Sequence, residues 1–217
     1  MSKNKISRKD FLSTSALLGV STLVGTSALT SCGEKGPVYT PIKEAGTYYV
    51  PELPDKAIDG KELKAGVIGC GGRGSGAIFD LLNAANGIKV VALGDTFADR
   101  LNGLKGRFAK SNQVVADDKC FVGFDAYKKV IDSGVDMVII ATPPVFRPVH
   151  FQYATEKGVH SFLEKPIAVD PKGYRTIMAT AKQAQAKNLS VVCGTQRHHQ
   201  RPYVEAFQKI QEGYIGE

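Results

Sequence analysis

The sequence predicts an α/β protein with a doubly wound parallel sheet, and two observations support this fold class. From residue 64 onward, short apolar segments alternate with segments that have helical periodicity. Strands that alternate with helices in this way form parallel sheets with helices on both faces. In addition, unusual glycine, proline and polar residues follow the apolar segments, and the carboxyl ends of parallel strands are where such folds bind ligands.

The predicted strands are short apolar runs, and the predicted helices have apolar residues at helical spacing. The strands span residues 64–70, 88–95, the first part of 120–133, 135–144, 159–166 and 189–195. The helices span residues 75–84, 97–108, the rest of 120–133, 147–158, 170–188 and 202–213. Asp170 and Pro171 favour a helix start, and Gly158 favours a helix end.

Residues 1–31 have the pattern of an export signal. A basic start precedes an uncharged run of small and apolar residues, and the segment ends in Leu-Thr-Ser before Cys32. This ending resembles a bacterial lipobox, so we expect acylation of Cys32 to attach the chain to a membrane as a lipoprotein. Residues 7–12 resemble a twin-arginine leader in which Arg-Lys replaces Arg-Arg. An N-terminal amphipathic helix is the alternative interpretation.

Residues 32–60 are rich in proline and polar residues, and they are predicted to form a tether. Together with the export signal, this organisation predicts a bacterial protein that is periplasmic or anchored to a membrane. A homo-oligomer in which the tether contacts a neighbouring subunit is left open.

Residues 69–74 match the pattern G-x-G-x-x-G in the structural context that the pattern requires. They follow a predicted strand and open a predicted helix, and Asp95 ends the next strand about 20 residues further on. Gly69 permits a tight turn, Gly71 lets the backbone approach a pyrophosphate, and Gly74 lets helix and strand pack closely. The predicted cofactor-binding residues of this region are Gly69, Gly71, Gly72, Arg73, Gly74 and Asp95.

This pattern predicts a Rossmann domain that binds a dinucleotide. A carboxylate at Asp95 would accept hydrogen bonds from the ribose hydroxyls and repel a 2′-phosphate, which favours NAD over NADP. Arg73 could stabilise a phosphate group, so NADP stays the second candidate. The alternatives are a plain glycine-rich turn and, for Asp95, a solvated turn residue.

The segment Thr142, Pro143 and Pro144 ends the strand at 135–144. Two prolines give a stiff turn with few amide donors. We predict that this turn forms a wall beside the nicotinamide, and a simple strand end is the alternative.

Glu164 and Lys165 precede a proline at the end of the strand at 159–166. A lysine at this edge of the sheet can be partly desolvated, which would bring its pKa toward the range needed for proton transfer. Taken alone, this tripeptide is most typical of a surface turn, and a partly desolvated, functional Lys165 is the other interpretation.

The order of these motifs resembles the Gfo/Idh/MocA family of oxidoreductases. The resemblance spans residues 62–217 and includes GVIGCGGRG, Asp95, ATPP, His150, EKP and a final GYIGE. It implies a Rossmann domain at 61–200, followed at 201–217 by a helix and the entry to a C-terminal α+β domain. We expect that domain to be missing from this chain, which would leave the catalytic site incomplete.

The resemblance also implies an activity and the residues that serve it. It implies hydride transfer between a nicotinamide cofactor and the hydroxyl carbon of a sugar or cyclitol. NAD is the expected cofactor, and NADP is the second candidate. Lys165 would be the catalytic residue and would assist proton transfer. The implied cofactor contacts are Thr142, Pro143, Pro144, Glu164 and Lys165, and the implied substrate contacts are Lys165, Gln196, Arg197 and His198. Outside the cytosol free NAD is scarce, so we expect a tightly held cofactor.

Composition excludes several other classes of protein. The formal net charge of +7 is too small, and the basic residues too scattered, to predict nucleic-acid binding. Cys70, Cys120 and Cys193 lie in apolar or glycine-rich segments and are expected to be buried rather than paired. His198 and His199 have no third ligand at suitable spacing, so no metal site is predicted.

Two alternative functions remain open at this point. One is an NAD-dependent glycoside hydrolase that works by transient oxidation and elimination, as in glycosidases related to the family. The other is a non-catalytic lipoprotein that binds NAD or a sugar.

Overall fold

The computed structural model describes residues 61–214, and these residues form a six-stranded parallel sheet. The order of the strands is β3-β2-β1-β4-β5-β6. The strands are β1 (Leu63–Ile68), β2 (Ile88–Asp95), β3 (Cys120–Val122), β4 (Met137–Ile140), β5 (His160–Leu163) and β6 (Val191–Cys193). The predicted parallel sheet is confirmed. The predicted export signal, Cys32 and the tether lie outside the described residues.

Six α-helices accompany these strands in the described part of the chain. They are α1 (Gly72–Ala84), α2 (Ala98–Phe108), α3 (Ala126–Ile131), α4 (Arg147–Glu156), α5 (Pro171–Ala186) and α6 (Arg201–Gln211). Helix α1 begins at Gly72 rather than at the predicted residue 75, because the glycine-rich segment itself forms the first turn. Asp170 caps α5 as predicted, since its Oδ1 accepts a hydrogen bond of 2.6 Å from the Gly173 amide.

The core consists of two apolar clusters, one on each face of the sheet. Successive residues of a strand point to opposite faces, and the central strand β1 shows this directly. Val67 packs into the cluster that contains Ile78 of α1 and Leu101 of α2. Ile68 packs into the cluster on the other face, with Phe151 of α4. Both faces of the sheet are therefore covered by helices, as the doubly wound class requires.

The sheet reverses its direction of winding beside β1. This strand pairs with β2 on one side and with β4 on the other. The connections after β1 and after β4 consequently leave the sheet in opposite directions, which opens a crevice at the carboxyl ends of these two strands.

The burial of the three cysteines agrees only partly with the prediction. Cys70 is buried, and burial raises the pKa of its thiol to about 12. Cys120 and Cys193 are only half-buried, so the expectation of burial is wrong for these two. The reason is topological, since they lie on β3 and β6, the two edge strands. All three thiols are free.

Candidate cofactor site

A cleft of about 510 Å³ occupies the crevice at the carboxyl ends of the central strands. Residues from the ends of β1, β2, β3 and β4 line it, together with the starts of α1 and α4. The predicted site residues in its lining are Gly69, Gly71, Gly72, Arg73, Gly74, Asp95, Thr142 and Pro143. Pro144 follows in the same turn. The fold thus brings the glycine segment, the acid after β2 and the proline turn after β4 to one place.

The glycine segment crosses the end of β4 at a distance that excludes side chains. Gly69 has a φ angle of 93°, and a Cβ atom there would lie 2.8 Å from the amide nitrogen of Thr142. A Cβ atom on Gly74 would lie 1.8 Å from the carbonyl oxygen of Gly69. Gly69 therefore makes the turn, and Gly74 allows α1 to start directly against the strand end.

The N-terminus of α1 points into the cleft without a capping side chain. Gly71 is the N-cap residue, and no acidic residue occupies the first turn. The first amide groups of a helix have no partner within the helix, and the helix dipole places partial positive charge there. These donors suit a pyrophosphate, so the backbone at this point fits the dinucleotide that the glycine pattern predicts.

Asp95 is fixed by the backbone around it. Its Oδ2 accepts a hydrogen bond of 2.6 Å from the Cys70 amide, and its Oδ1 accepts one of 2.9 Å from the Phe97 amide. The side chain is only 9% exposed, so it is not the solvated turn residue considered as an alternative. A carboxylate can accept further hydrogen bonds, and the proposed bonds from ribose hydroxyls stay a prediction.

Arg73 pairs with the buried carboxylate of Glu164. The Nε and Nη2 atoms of Arg73 each lie 2.6 Å from Oε1 of Glu164, which is only 1% exposed. Oε2 of Glu164 accepts a hydrogen bond of 3.1 Å from the Lys165 amide. The ion pair thereby connects the glycine segment to the Glu-Lys-Pro segment. Direct contact of Glu164 with a cofactor stays a prediction.

Lys165 follows Glu164 at the end of β5 and is exposed. This exposure agrees with a surface turn rather than with a partly desolvated lysine. The sequence correctly places Lys165 after a strand. The exposure of its side chain depends on which residues cover the end of that strand. The catalytic role of Lys165 stays a prediction.

Arg147 holds the segments after β4 and β5 together, a role that was not predicted from the sequence. Its Nε donates to the Thr142 carbonyl at 2.8 Å, and its Nη1 donates to the Glu164 carbonyl at 2.5 Å and to the carbonyl of Pro166. The residue is 5% exposed, and burial lowers the pKa of the guanidinium from its ordinary value. The one sequence signal was an arginine three residues after Pro144, at the start of the following helix.

His150 lines the cleft from the second turn of α4 and is buried. Its Nδ1 lies 3.1 Å from Oγ1 of Thr142, and its ring stacks on Tyr127 with centroids 4.2 Å apart. Burial lowers the pKa of His150 to about 4. The imidazole is therefore neutral at neutral pH and helps to fix the proline turn.

The lowered pKa of His150 predicts a loss of stability in acid. The unfolded state binds the extra proton below its ordinary pKa of 6.5, whereas the folded state resists protonation until about pH 4. The part of the free energy of unfolding that depends on neutral His150 is fully present above pH 6.5. It decreases by about 3 kcal/mol as the pH falls toward 4. Urea unfolding of the wild type and of His150→Gln between pH 7 and 4 measures the difference.

We expect His150→Gln to lose less stability than the wild type over this interval. His199→Gln changes an exposed histidine and serves as the control, which should follow the wild type. Parallel curves for the wild type and His150→Gln would contradict the prediction.

Three of the predicted substrate residues lie apart from the cleft at the carboxyl ends of the central strands, which is larger than a second cleft near these residues. Gln196, Arg197 and His198 form an exposed 3₁₀ turn after β6. Gln196 lines a second cleft, of about 290 Å³, that also contacts Arg73. The guanidinium of Arg197 lies 5.3 Å from the centroid of the Tyr203 ring. Their contact with a substrate stays a prediction.

Two further kinds of site are absent from residues 61–214. No three His, Cys, Asp or Glu side chains in this part of the chain are grouped to hold a metal ion. Over the same residues, no helix combines the length and the apolar character needed to cross a bilayer.

Comparison with known proteins relates the chain to dehydrogenases. The model of the Gfo/Idh/MocA oxidoreductase family, described by its NAD-binding Rossmann fold, matches residues 63–209. Over 157 residues, 71% of this chain, the sequence is 28% identical to scyllo-inositol 2-dehydrogenase (NAD(+)) of Bacillus subtilis and covers 42% of that protein. It is 27% identical to a glycosyl hydrolase family 109 protein of Solibacter usitatus, with 76% of this chain and 34% of that protein covered.

A solved structure supports the same relation. The crystal structure of myo-inositol 2-dehydrogenase from Lactobacillus plantarum matches with a TM-score of 0.59 and 27% identity, covering 72% of this chain and 43% of that one. The chain spans less than half the length of these relatives.

Proposed function

Because the chain belongs to the Gfo/Idh/MocA oxidoreductase family, with its NAD-binding Rossmann fold, we propose that it binds NAD for hydride transfer at a sugar or cyclitol hydroxyl carbon. The observation that carries this proposal is the uncapped N-terminus of α1, which faces the cleft beside Asp95. The names of the inositol dehydrogenases among its relatives support a cyclitol as the substrate class.

Each group of the cleft has a task in this proposal. The amide groups at the start of α1 bind the pyrophosphate, and Asp95 accepts hydrogen bonds from the adenosine ribose. The turn at Thr142 and Pro143 excludes water from the nicotinamide end and is fixed by Arg147. When bound, NAD supplies the nicotinamide carbon that accepts or donates the hydride.

Lys165 takes or gives the proton of the substrate oxygen in this proposal. Its backbone amide is hydrogen-bonded to Glu164, and the Glu164 carbonyl is hydrogen-bonded to Arg147. These two contacts fix the backbone from which the lysine side chain extends. The exposed Nζ atom can reach a substrate hydroxyl, taking its proton as the neutral amine or returning a proton as the ammonium ion.

The first test of the function is binding. Calorimetric titration of the purified protein with NAD⁺, and mass spectrometry of the small molecules that heat releases from it, measure affinity and retained cofactor. Stoichiometric NAD in the released fraction would support a tightly held cofactor. A protein that neither retains nor binds a dinucleotide would contradict the proposed function.

Lys165→Ala tests the catalytic role. We expect turnover of a cyclitol substrate to fall about a hundredfold, because the substitution removes the side chain that transfers the proton. The dissociation constant of NAD⁺ should change little. Lys172→Ala, at an exposed lysine of α5, is the matched control and should keep full turnover. Unchanged turnover in Lys165→Ala would remove the role assigned to this residue.

A second candidate function is NAD-dependent glycoside hydrolysis. The similarity to a glycosyl hydrolase family 109 protein favours this candidate. Product analysis separates the two reactions, since hydrolysis releases a reducing sugar without net oxidation and dehydrogenation produces a ketone. A protein that binds NAD but forms neither product would be the non-catalytic binding protein.

We also propose that the protein is exported and lipid-anchored, on the pattern of residues 1–31 and Cys32. Fractionation of expressing cells, with the mass of the mature N-terminus, tests this. Cys32→Ala should move the protein from the membrane fraction to the soluble fraction. Wild-type protein found soluble with an intact N-terminus would contradict it.

A further inference from the structure

Three arginines of the described residues line the larger cleft, and two of them already have acceptors. Arg73 is paired with the Glu164 carboxylate. Arg147 donates to three backbone carbonyl groups. The guanidinium groups of both are therefore used to hold the protein's own segments together. A phosphate contact by Arg73, which the sequence suggested, would require it to leave or share Glu164.

The third arginine, Arg100, has a different environment. Within residues 61–214 its guanidinium makes neither a hydrogen bond nor an ion pair, and its contact is the exposed ring of Phe97, with 5.4 Å from Cζ to the ring centroid. Its Nη1 lies 3.3 Å from the position that a Cβ atom on Gly71 would take. Arg100 thus extends from the first turn of α2 to the glycine at the start of α1.

The charge around Arg100 favours an anion at this point of the cleft. The start of α1 has no acidic residue in its first turn. Asp95 is the one acidic residue among the described residues that line the cleft. Both of its carboxylate oxygens already accept hydrogen bonds from amide groups. An unpaired guanidinium beside uncapped amide groups provides charge-assisted donors for phosphate oxygens.

We propose that Arg100 binds a phosphate group of the dinucleotide beside Gly71, the role that the sequence suggested for Arg73. This inference rests on the proposed function, because it requires that the cleft binds a dinucleotide. The phosphate has two sources. The pyrophosphate is shared by NAD and NADP, whereas the 2′-phosphate belongs to NADP alone.

Calorimetric titration with NAD⁺ and with NADP⁺ tests the role of Arg100 without any assay of turnover. The variants are Arg100→Gln, which removes the charge, and Arg100→Lys, which keeps it without the planar fork of donors. Arg107→Gln is the matched control, because Arg107 is an exposed arginine on the same helix that lies over the Phe79 ring rather than in the cleft. Thermal unfolding of each variant confirms that it is folded.

We expect Arg100→Gln to weaken binding about tenfold or more, with Arg100→Lys intermediate and Arg107→Gln unchanged. Affinity for the dinucleotide should also depend less on salt in Arg100→Gln than in the wild type, since one charge contact is gone. A lost side-chain packing contact would not change this salt dependence.

The two nucleotides distinguish the two phosphate sources. An equal loss for NAD⁺ and NADP⁺ assigns Arg100 to the pyrophosphate, and a loss confined to NADP⁺ assigns it to the 2′-phosphate. Wild-type affinity of Arg100→Gln for both nucleotides, with unchanged salt dependence, overturns the inference and leaves the proposed function standing. Absence of binding by the wild type overturns the proposed function and this inference together.

Discussion

Replacing Arg147 with methionine is expected to lower the free energy of unfolding by about 3–5 kcal/mol. Methionine fills much of the same volume but donates no hydrogen bond. The carbonyl groups of Thr142, Glu164 and Pro166 would then lose their common donor at a site that is 5% exposed. Each buried carbonyl left without a partner costs about 1–3 kcal/mol.

Urea unfolding of Arg147→Met, followed by circular dichroism, measures this loss. Arg175→Met changes an exposed arginine on α5 and should stay within about 0.5 kcal/mol of the wild type. A loss below about 1 kcal/mol for Arg147→Met would show that water replaces the guanidinium at these carbonyl groups.

Gly74→Ala is expected to abolish dinucleotide binding and to destabilise the fold by about 3 kcal/mol. The new methyl carbon would lie 1.8 Å from the carbonyl oxygen of Gly69, so either α1 or the turn before it must move. Overpacking of this kind costs about 1–3 kcal/mol, and here the obstacle is backbone that cannot rotate away. The displaced helix start would no longer present its amide groups to the cleft.

Gly103→Ala provides the control for this substitution. Gly103 lies inside α2, and a Cβ atom there meets no atom within 4 Å. The same change should therefore raise stability by about 0.5–1 kcal/mol, because alanine favours a helix interior. Calorimetric titration with NAD⁺ and urea unfolding of both variants measure the contrast. Wild-type affinity in Gly74→Ala would contradict the close contact.

The fold and the core of the site were predictable because their signals are local. Each strand and helix has its own apolar periodicity, and the glycine pattern with Asp95 specifies a turn, a helix start and an acid at fixed spacing. The structure bears out the parallel sheet and brings these residues together. The starts and ends of elements shifted by a few residues, as at α1.

The remaining site depends on contacts that spacing does not encode. Arg73 meets Glu164 across 91 residues of sequence, and Arg147 meets Pro166 across 19. The role of Arg100 depends on where α2 lies relative to Gly71. The exposure of Lys165 likewise depends on what covers the strand end, and a strand-end lysine looks the same in sequence whether it is covered or not.

The ion pair between Arg73 and Glu164 also has a consequence for the order in which the molecule assembles. Its two residues lie 91 positions apart, so the link between the glycine segment and the Glu-Lys-Pro segment cannot form until β5 has joined the sheet beside β4. Contacts of such long range form late, after the chain has lost the entropy of a large loop. A ribosome must therefore have released most of the domain before this link exists. A chain threaded unfolded through a membrane would have to find its nucleotide on the far side, whereas one that folds before translocation can carry it across.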